Sequence, residues 1–421
     1  MKILWIVNTI FPYPASQIGQ DKNCFGGWLN GLADKLKDNE NIKLAIATVY
    51  NGKDIKKFDD GKIIYYLIPG APALKYNSKL EAYWKNVNSD FQPDLVHIHG
   101  TEFAHGLAFR RACPKTTVVT SIQGLVSKIA TVYYAGLARS EIMKNITIRD
   151  VIRKDSIFAQ KKKFAKRGQN EIEIIKKSDA IIGRTTWDYA NVKALDKNAR
   201  YFSVNETLRE EFYDNSKWDI NNIERHSILF SQASYPIKGL HVLLDSINLL
   251  KEKYPNIKVY VAGYNLTNKQ DIKSRIKTSG YSQIIKNKIR QYKIEKNVIF
   301  TGELSGEQMR KMYLKVNAFV LSSIIENESN SLSEAAILGL PTISSYVGGI
   351  PDRIVNMKNG LLYPFTETAM LANCIEKIFD NDELAIKLGQ NAMEDYKKIL
   401  NPENNVKQII KIYNEMINKE L

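Results

Sequence analysis

Two consecutive series of short apolar segments, each alternating with amphipathic stretches, constrain this chain more than any other feature. The first series runs Lys2 to Val7, Lys43 to Val49, Lys62 to Ile68, Asp94 to His99, Thr117 to Ile122 and Asp179 to Arg184. The second runs Ser227 to Phe230, Lys258 to Ala262, Val298 to Thr301, Ala318 to Leu321 and Thr342 to Ser345. Short apolar runs without strict alternation are the pattern of strands buried on both faces, and the helices between them supply the crossovers that parallel strands require. Two such series predict an α/β chain with two doubly wound parallel sheets. A length of 421 residues leaves each sheet its own core. The polar segment Tyr213 to Asn222 has linker composition, so one domain is expected over 1–215 and a second over 222–402.

In a doubly wound sheet, ligands meet the loops at the carboxyl ends of the strands. After Ala318 to Leu321 comes Ser322-Ser323-Ile324-Ile325-Glu326-Asn327-Glu328-Ser329-Asn330-Ser331-Leu332-Ser333-Glu334, then Gly339-Leu340-Pro341 and Gly348-Gly349-Ile350-Pro351. A helical pattern begins within the Ser/Asn-rich stretch, which puts Glu326 in a loop and Glu334 on the following helix. Were the whole stretch helical, the two carboxylates would stand roughly 80° apart in azimuth and about 12 Å apart along the axis, poorly placed to share one ligand. Loop plus helix lets them take different parts of a long ligand. A purely local reading also exists: Ser331-x-x-Glu334 has the form of a capping box, in which Glu334 only satisfies the helix's own amides.

Three other strand ends carry polar chemistry. His97-Ile98-His99-Gly100-Thr101-Glu102 sends both histidines to one face of its strand. With no third ligand evident, a metal site is disfavoured, and each imidazole is either a satisfied buried group or a ligand contact. Gly26-Gly27 opens a helix carrying Trp28, Leu29 and Leu32, where bare amides suit an anion, although adjacent glycines also make plain turns. Lys238-Gly239 follows the first strand of the second series. By contrast, Asp380-Asn381-Asp382 lies between amphipathic stretches and reads as a turn and helix cap, not a metal-binding pair.

The net charge of +15 calls for an acidic partner: nucleic acid, an anionic membrane surface or phosphorylated substrates. No aromatic-rich RNA-binding signature or zinc-finger spacing accompanies it, so nucleic acid is the weakest of the three. From Lys144 to Arg167, nine basic residues against Asp150 and Asp155 interleave with Ile146, Ile148, Val151, Ile152, Ile157, Phe158 and Phe164. This segment is either a solvated helix face or a surface helix docking on anionic lipid. Cys24, Cys113 and Cys374 are odd in number and far apart, which fits reduced thiols. No run reaches membrane-spanning length and Met1 to Asn8 reads as a strand, so a cytoplasmic location is expected, peripheral on the inner face of the membrane if the basic segment docks.

The run from Glu326 through Gly349 resembles the donor site of the retaining glycosyltransferases of family 4, the group 1 class, with its Glu-x7-Glu signature, Gly-x-Pro strand and Gly-Gly turn. The resemblance implies a GT-B fold, two Rossmann-like domains facing across a cleft, with the last helix, within 403–421, crossing back onto the first domain. It implies metal-independent, cofactor-free transfer of a sugar, with retained configuration, from a nucleotide diphosphate sugar to a glycan or lipid-linked glycan acceptor. A UDP-sugar is favoured as donor. Lys238 would neutralise the leaving diphosphate, Glu326 and His99 would hold the transferred sugar, and Glu334 would grip ribose hydroxyls. Gly26, Gly27, Asn330, Ser331, Leu332 and Gly302 would complete the donor contacts. There are departures: Glu328 stands where the family has an apolar or aromatic residue, Gln123 replaces a turn histidine, and Gln232 or Ala233 replaces an arginine. Arg184 and Arg209, in segments resembling bacterial surface-polysaccharide enzymes, would be either diphosphate or acceptor contacts or structural salt bridges; either Lys238 does the work of the missing cation alone or one of these two arginines substitutes for it. Rival readings are a nucleotide-sugar epimerase, a phosphorylase-like enzyme of the same fold, and a silent nucleotide-sugar binding module.

Overall fold

The computed structural model describes residues 1–20, 27–70, 74–266 and 278–418. The chain forms two compact units: Met1–Lys128, Phe164–Arg209 and Leu400–Leu421 in the first, Ile129–Lys163 and Glu210–Ile399 in the second. The first unit is therefore built from three separate stretches of sequence, and the basic segment contributes to both units.

In the first unit β1 (Lys2–Ile6), β2 (Lys43–Tyr50), β3 (Lys56–Asp59), β4 (Ile63–Pro69), β5 (Leu95–His99), β6 (Val118–Ser121), β7 (Ala180–Gly183) and β8 (Tyr201–Ser203) make one sheet. Its order is β3-β4-β2-β1-β5-β6-β7-β8, and among the described residues only the β3–β4 pair is antiparallel. Alternation along β1 divides the core: Ile3, Trp5 and Val7 join Leu29, Leu36, Ile409 and Tyr413 on one face, while Leu4 and Ile6 join Trp84, Val87 and Phe109 on the other. The final helix, Pro402–Ile417, thus belongs to this unit's core through Ile409, Ile412, Tyr413 and Met416.

The second unit's sheet contains β9 (Glu224–Ser231), β10 (Lys258–Ala262), β11 (Val298–Gly302), β12 (Val316–Leu321), β13 (Thr342–Ser345) and β14 (Leu361–Tyr363). Its order, β11-β10-β9-β12-β13-β14, is all parallel and follows the doubly wound 3-2-1-4-5-6 scheme. The order reverses between β9 and β12, so the loops after those two strands flank the crevice where such sheets bind ligands. In the first unit the reversal falls between β1 and β5. Strands β3, β8 and β14 escape the hydrophobic pattern because they are sheet edges of three or four residues, and β3, with sequence Lys-Lys-Phe-Asp, is mostly polar. The linker-like segment is partly packed: the buried Trp218 donates its indole N–H to the Val316 carbonyl at 2.8 Å.

Candidate functional site

In the second unit, the loops after β9 and β12 are locked together by one close approach. Gly239 has φ +75°, and a β-carbon there would overlap the carbonyl oxygen of Ser322. The Ser322 hydroxyl returns the contact, donating to the Gly239 carbonyl at 2.8 Å. This approach sets Lys238, in the short turn Pro236–Lys238, beside Glu326: the ammonium donates to Glu326 Oε1 at 2.6 Å. Ser323 Oγ donates to the same oxygen at 2.6 Å. The Glu326 side chain keeps 10% of its exposure and Lys238 22%, so the pair is mostly desolvated yet open on one side. Gly348 provides a second close approach, with φ +54° and its α-carbon against the Glu326 carbonyl, which also accepts from Gly349 N at 3.1 Å. The Gly-Gly turn thereby fixes the backbone of the carboxylate that precedes the helix.

That helix is Asn330–Ile337, and its cap is Ser329, whose side chain accepts from Leu332 N. The capping-box reading of Ser331 and Glu334 is corrected by this register: Glu334 lies a full turn inside, where its carboxylate is not needed by the helix end. It is instead buried, with Tyr313 Oη 3.0 Å from Oε2. Asn330, Ser331 and Leu332 form the helix's first turn. Glu328, the departure from the family pattern, is buried against Arg353 at 2.7 Å, an ion pair doing the packing that an apolar side chain would do elsewhere. Gln232 and Ala233 carry no charge, so neither supplies a cation beside Lys238. Gly302 ends β11 at the edge of the sheet. Asn381 Oδ1 accepts from Leu384 N at 2.9 Å at the start of the helix Asp382–Ile399, the cap expected of that Asp-Asn-Asp run.

In the first unit the two histidines part company. His97 is satisfied on both nitrogens, by Tyr413 Oη at 2.7 Å and Ser121 Oγ at 2.6 Å, and burial pulls its pKa down to about 3. His99 is 2% exposed, packs on Trp5 with ring centres 4.5 Å apart, and has no hydrogen-bond partner for either nitrogen among the described residues. Burial holds it neutral, with His97 adding to the effect. It lines a cavity of about 40 Å³ with Trp28, His97, Gln123, Arg184 and Glu206, room for ordered water or one polar group of a ligand. Arg184 stands in that wall, paired with Glu206 and donating to the Ile122 carbonyl at 2.6 Å. Its guanidinium is thus engaged within the unit. The Arg209 side chain lies across the bare α-carbon of Gly27, the first residue of the helix Gly27–Leu36. Gly26 lies outside the described residues.

The sequence marks Lys238 and Glu326 but not their contact, nor the groups that hold Glu326, Glu334 and His97 in place. Ser323 was inside the motif and could have been found as the neighbour three residues before Glu326. Tyr313 and Tyr413, on other elements, left no local signal. Glu102 was also passed over: its carboxylate accepts from Asn8 Nδ2 at 3.1 Å where the loops after β1 and β5 meet. Burial, reinforced by Glu171, pushes its pKa up to about 7.

A pair of doubly wound sheets, each with polar side chains gathered where its strand order reverses, defines a protein that takes its ligands at strand ends. Residues 191–395, a stretch that holds Lys238, Glu326 and Glu334, match the family model described as glycosyl transferases group 1. Among curated relatives, the capsular polysaccharide biosynthesis glycosyltransferase CapM of Staphylococcus aureus is 27% identical over 37% of this chain and 37% of its own. The D-inositol 3-phosphate glycosyltransferase of Corynebacterium efficiens is 24% identical over 40% of this chain and 38% of its own. The chain thus spans under half the length of these two. Among solved structures, a sucrose-phosphate synthase from Thermosynechococcus elongatus covers 100% of both chains with TM-score 0.73 at 15% identity. Anabaena HepE, solved in complex with UDP-glucose, covers 99% of this chain and 100% of its own with TM-score 0.66 at 14% identity. At such identities the likeness establishes the fold, GT-B.

Proposed function

We propose that this chain is a retaining, metal-independent glycosyltransferase that moves a sugar from a nucleotide diphosphate sugar to a glycan or lipid-linked glycan. The observation that carries the reading is the Lys238–Glu326 pair at 2.6 Å, set where the second sheet reverses its strand order and inside the group 1 stretch. In glycosyl transfer the diphosphate departs from an oxocarbenium-like carbon, so a site needs positive charge at the phosphates and fixed acceptors at the sugar. Lys238 has the charge. Once a diphosphate shares that ammonium, Glu326 is free to accept from a sugar hydroxyl while Ser323 keeps it in place. Glu334, inside the helix and held by Tyr313, suits the ribose hydroxyls. His99, in the first unit, suits a polar ligand group, since a neutral imidazole with both nitrogens open can donate and accept.

A UDP-sugar is the favoured donor, and the UDP-glucose complex of HepE supports that choice by analogy of fold. The relation to CapM supports an acceptor in bacterial surface-polysaccharide synthesis. A thermal-shift panel of UDP-, GDP- and ADP-sugars tests the reading, since a ligand present at 100 times its dissociation constant stabilises by about 2.7 kcal/mol. A shift with one nucleotide class, followed by release of free nucleotide when acceptor is added, is the expected outcome. Silence across the panel would remove the donor assignment. Binding without turnover on any acceptor would leave a binding module.

A further inference from the structure

The short helix Ile148–Arg153 presents its apolar side to water. Ile148 is 73% exposed, Val151 67% and Ile152 70%, and just upstream Met143 is 63% and Ile146 42% exposed. At ~100° per residue, Ile148, Val151 and Ile152 fall on one face and Asp150 points the opposite way. Asp150 is the anchor. It is buried, closes a capping box with Thr147, and accepts from Gly280 N at 2.9 Å. Thr147 Oγ1 donates to the Thr278 carbonyl at 2.9 Å, and Asn287 Nδ2 to Asn145 Oδ1 at 2.9 Å. These tethers tie the polar side of the helix to the second unit, so its apolar outward face is imposed by the fold.

The segment that carries this face is basic. Lys144, Arg153, Lys154, Lys162 and Lys163 are exposed. The segment's two acids are withdrawn: Asp150 is buried, and Asp155 accepts from Arg149 at 3.1 Å and from Lys163 at 3.3 Å. Three kinds of occupant differ in chemistry. Nucleic acid would match the cations and leave the isoleucines in water. A second copy of the chain, packed face to face, would bring like charges together. An anionic bilayer matches both, with aliphatic side chains at the headgroup and acyl boundary and cations among the phosphates.

We propose that the exposed apolar side chains Met143, Ile146, Ile148, Val151 and Ile152, together with the exposed cations Lys144, Arg153, Lys154 and Lys162 of the same segment, dock this protein on an anionic phospholipid bilayer. The inference rests on the transferase reading only in giving the docking a purpose, access to a lipid-linked acceptor. The test is co-sedimentation of the full chain, without donor, with vesicles of phosphatidylcholine alone or mixed with phosphatidylglycerol. Binding should require phosphatidylglycerol and fall steeply between low and high salt. Changing Arg153, Lys154 and Lys162 together to Gln should lower the low-salt partition by about two orders of magnitude, at roughly fivefold per cation. Ile148→Ser with Val151→Ser and Ile152→Ser should lower it comparably and leave the unfolding temperature unchanged, since these side chains are already solvated. Failure to bind phosphatidylglycerol vesicles at low salt overturns the proposal, as does equal binding to phosphatidylcholine alone or full binding by both variants. A solution dimer dissolved by the serine variant would give the face to a second copy instead. Because no turnover is read, failure here leaves the transferase reading standing, and failure of that reading leaves vesicle binding as measured.

Discussion

Lys238 and Glu326 neutralise each other in a setting mostly shielded from water, so neither can be altered alone without exposing the charge of the other. Lys238→Ala should therefore lower single-turnover sugar transfer or donor hydrolysis by orders of magnitude at saturating donor, while Lys238→Arg restores the charge in a different geometry and recovers part of the rate. Wild-type rates from the alanine variant would remove Lys238 from the mechanism. Glu334 makes a separate case, because the helix cap is Ser329 and Glu334 lies a turn inside the helix. Glu334→Gln keeps an acceptor for Tyr313, so the unliganded protein should change in stability by no more than about 1 kcal/mol while UDP affinity falls at least tenfold. Calorimetric titration with UDP beside thermal unfolding separates the two, and undiminished UDP affinity would end the ribose assignment.

At the scale of elements, the donor-side geometry depends on loops that touch. Gly239 and Gly302 both have positive φ, +75° and +78°, but a β-carbon at Gly239 meets the Ser322 backbone whereas one at Gly302 meets nothing within 4 Å. Alanine at Gly302 should cost only the backbone term, about 1 kcal/mol. Alanine at Gly239 carries that term plus displacement of the loop after β9 from β12, roughly 2–4 kcal/mol in all, and moves Lys238 from Glu326. Urea unfolding of the two variants measures the difference directly. Equal losses would mean the loops can part freely and that the close approach does not hold the site together.

For the whole molecule, buried imidazoles set the response to acid. Burial lowers the pKa of His97 to about 3 and of His105 and His241 to about 4, and holds His99 low as well. These folded-state values lie below the unfolded value near 6.5, so the unfolded chain takes up protons first. The stability they contribute is complete above about pH 6.5 and is lost as pH falls toward 3 to 4, roughly 2 kcal/mol by pH 5 for each of His97, His105 and His241. Glu102 and Glu171, whose pKa values are raised by burial, work in the opposite direction and offset part of the loss. A net loss of a few kcal/mol between pH 7.5 and 5 is expected in chemical unfolding, and Glu102→Gln should deepen it by removing one of the offsets. Stability that holds steady to pH 5 would show that these imidazoles accept protons inside the fold.

The strand series, the loop place of Glu326 and the helix place of Glu334 were all legible in the amino-acid order, because buried parallel strands and helix starts leave local hydrophobic and polar patterns. Strands β3, β8 and β14 were not, since edges this short carry too little pattern. Nor was the assignment of Ile129–Lys163 to the second unit, which rests on Asp150 and Thr147 meeting residues near 280. Composition could mark the basic segment but not decide between a solvated face and a docking surface; only the fold turned Ile148, Val151 and Ile152 outward. The contact of Lys238 with Glu326, the release of Glu334 from capping and the difference between a satisfied His97 and an open His99 were likewise decided by tertiary structure. Each depends on a partner far along the chain, and the pairing of distant side chains is a property of packed elements that no local stretch of sequence encodes.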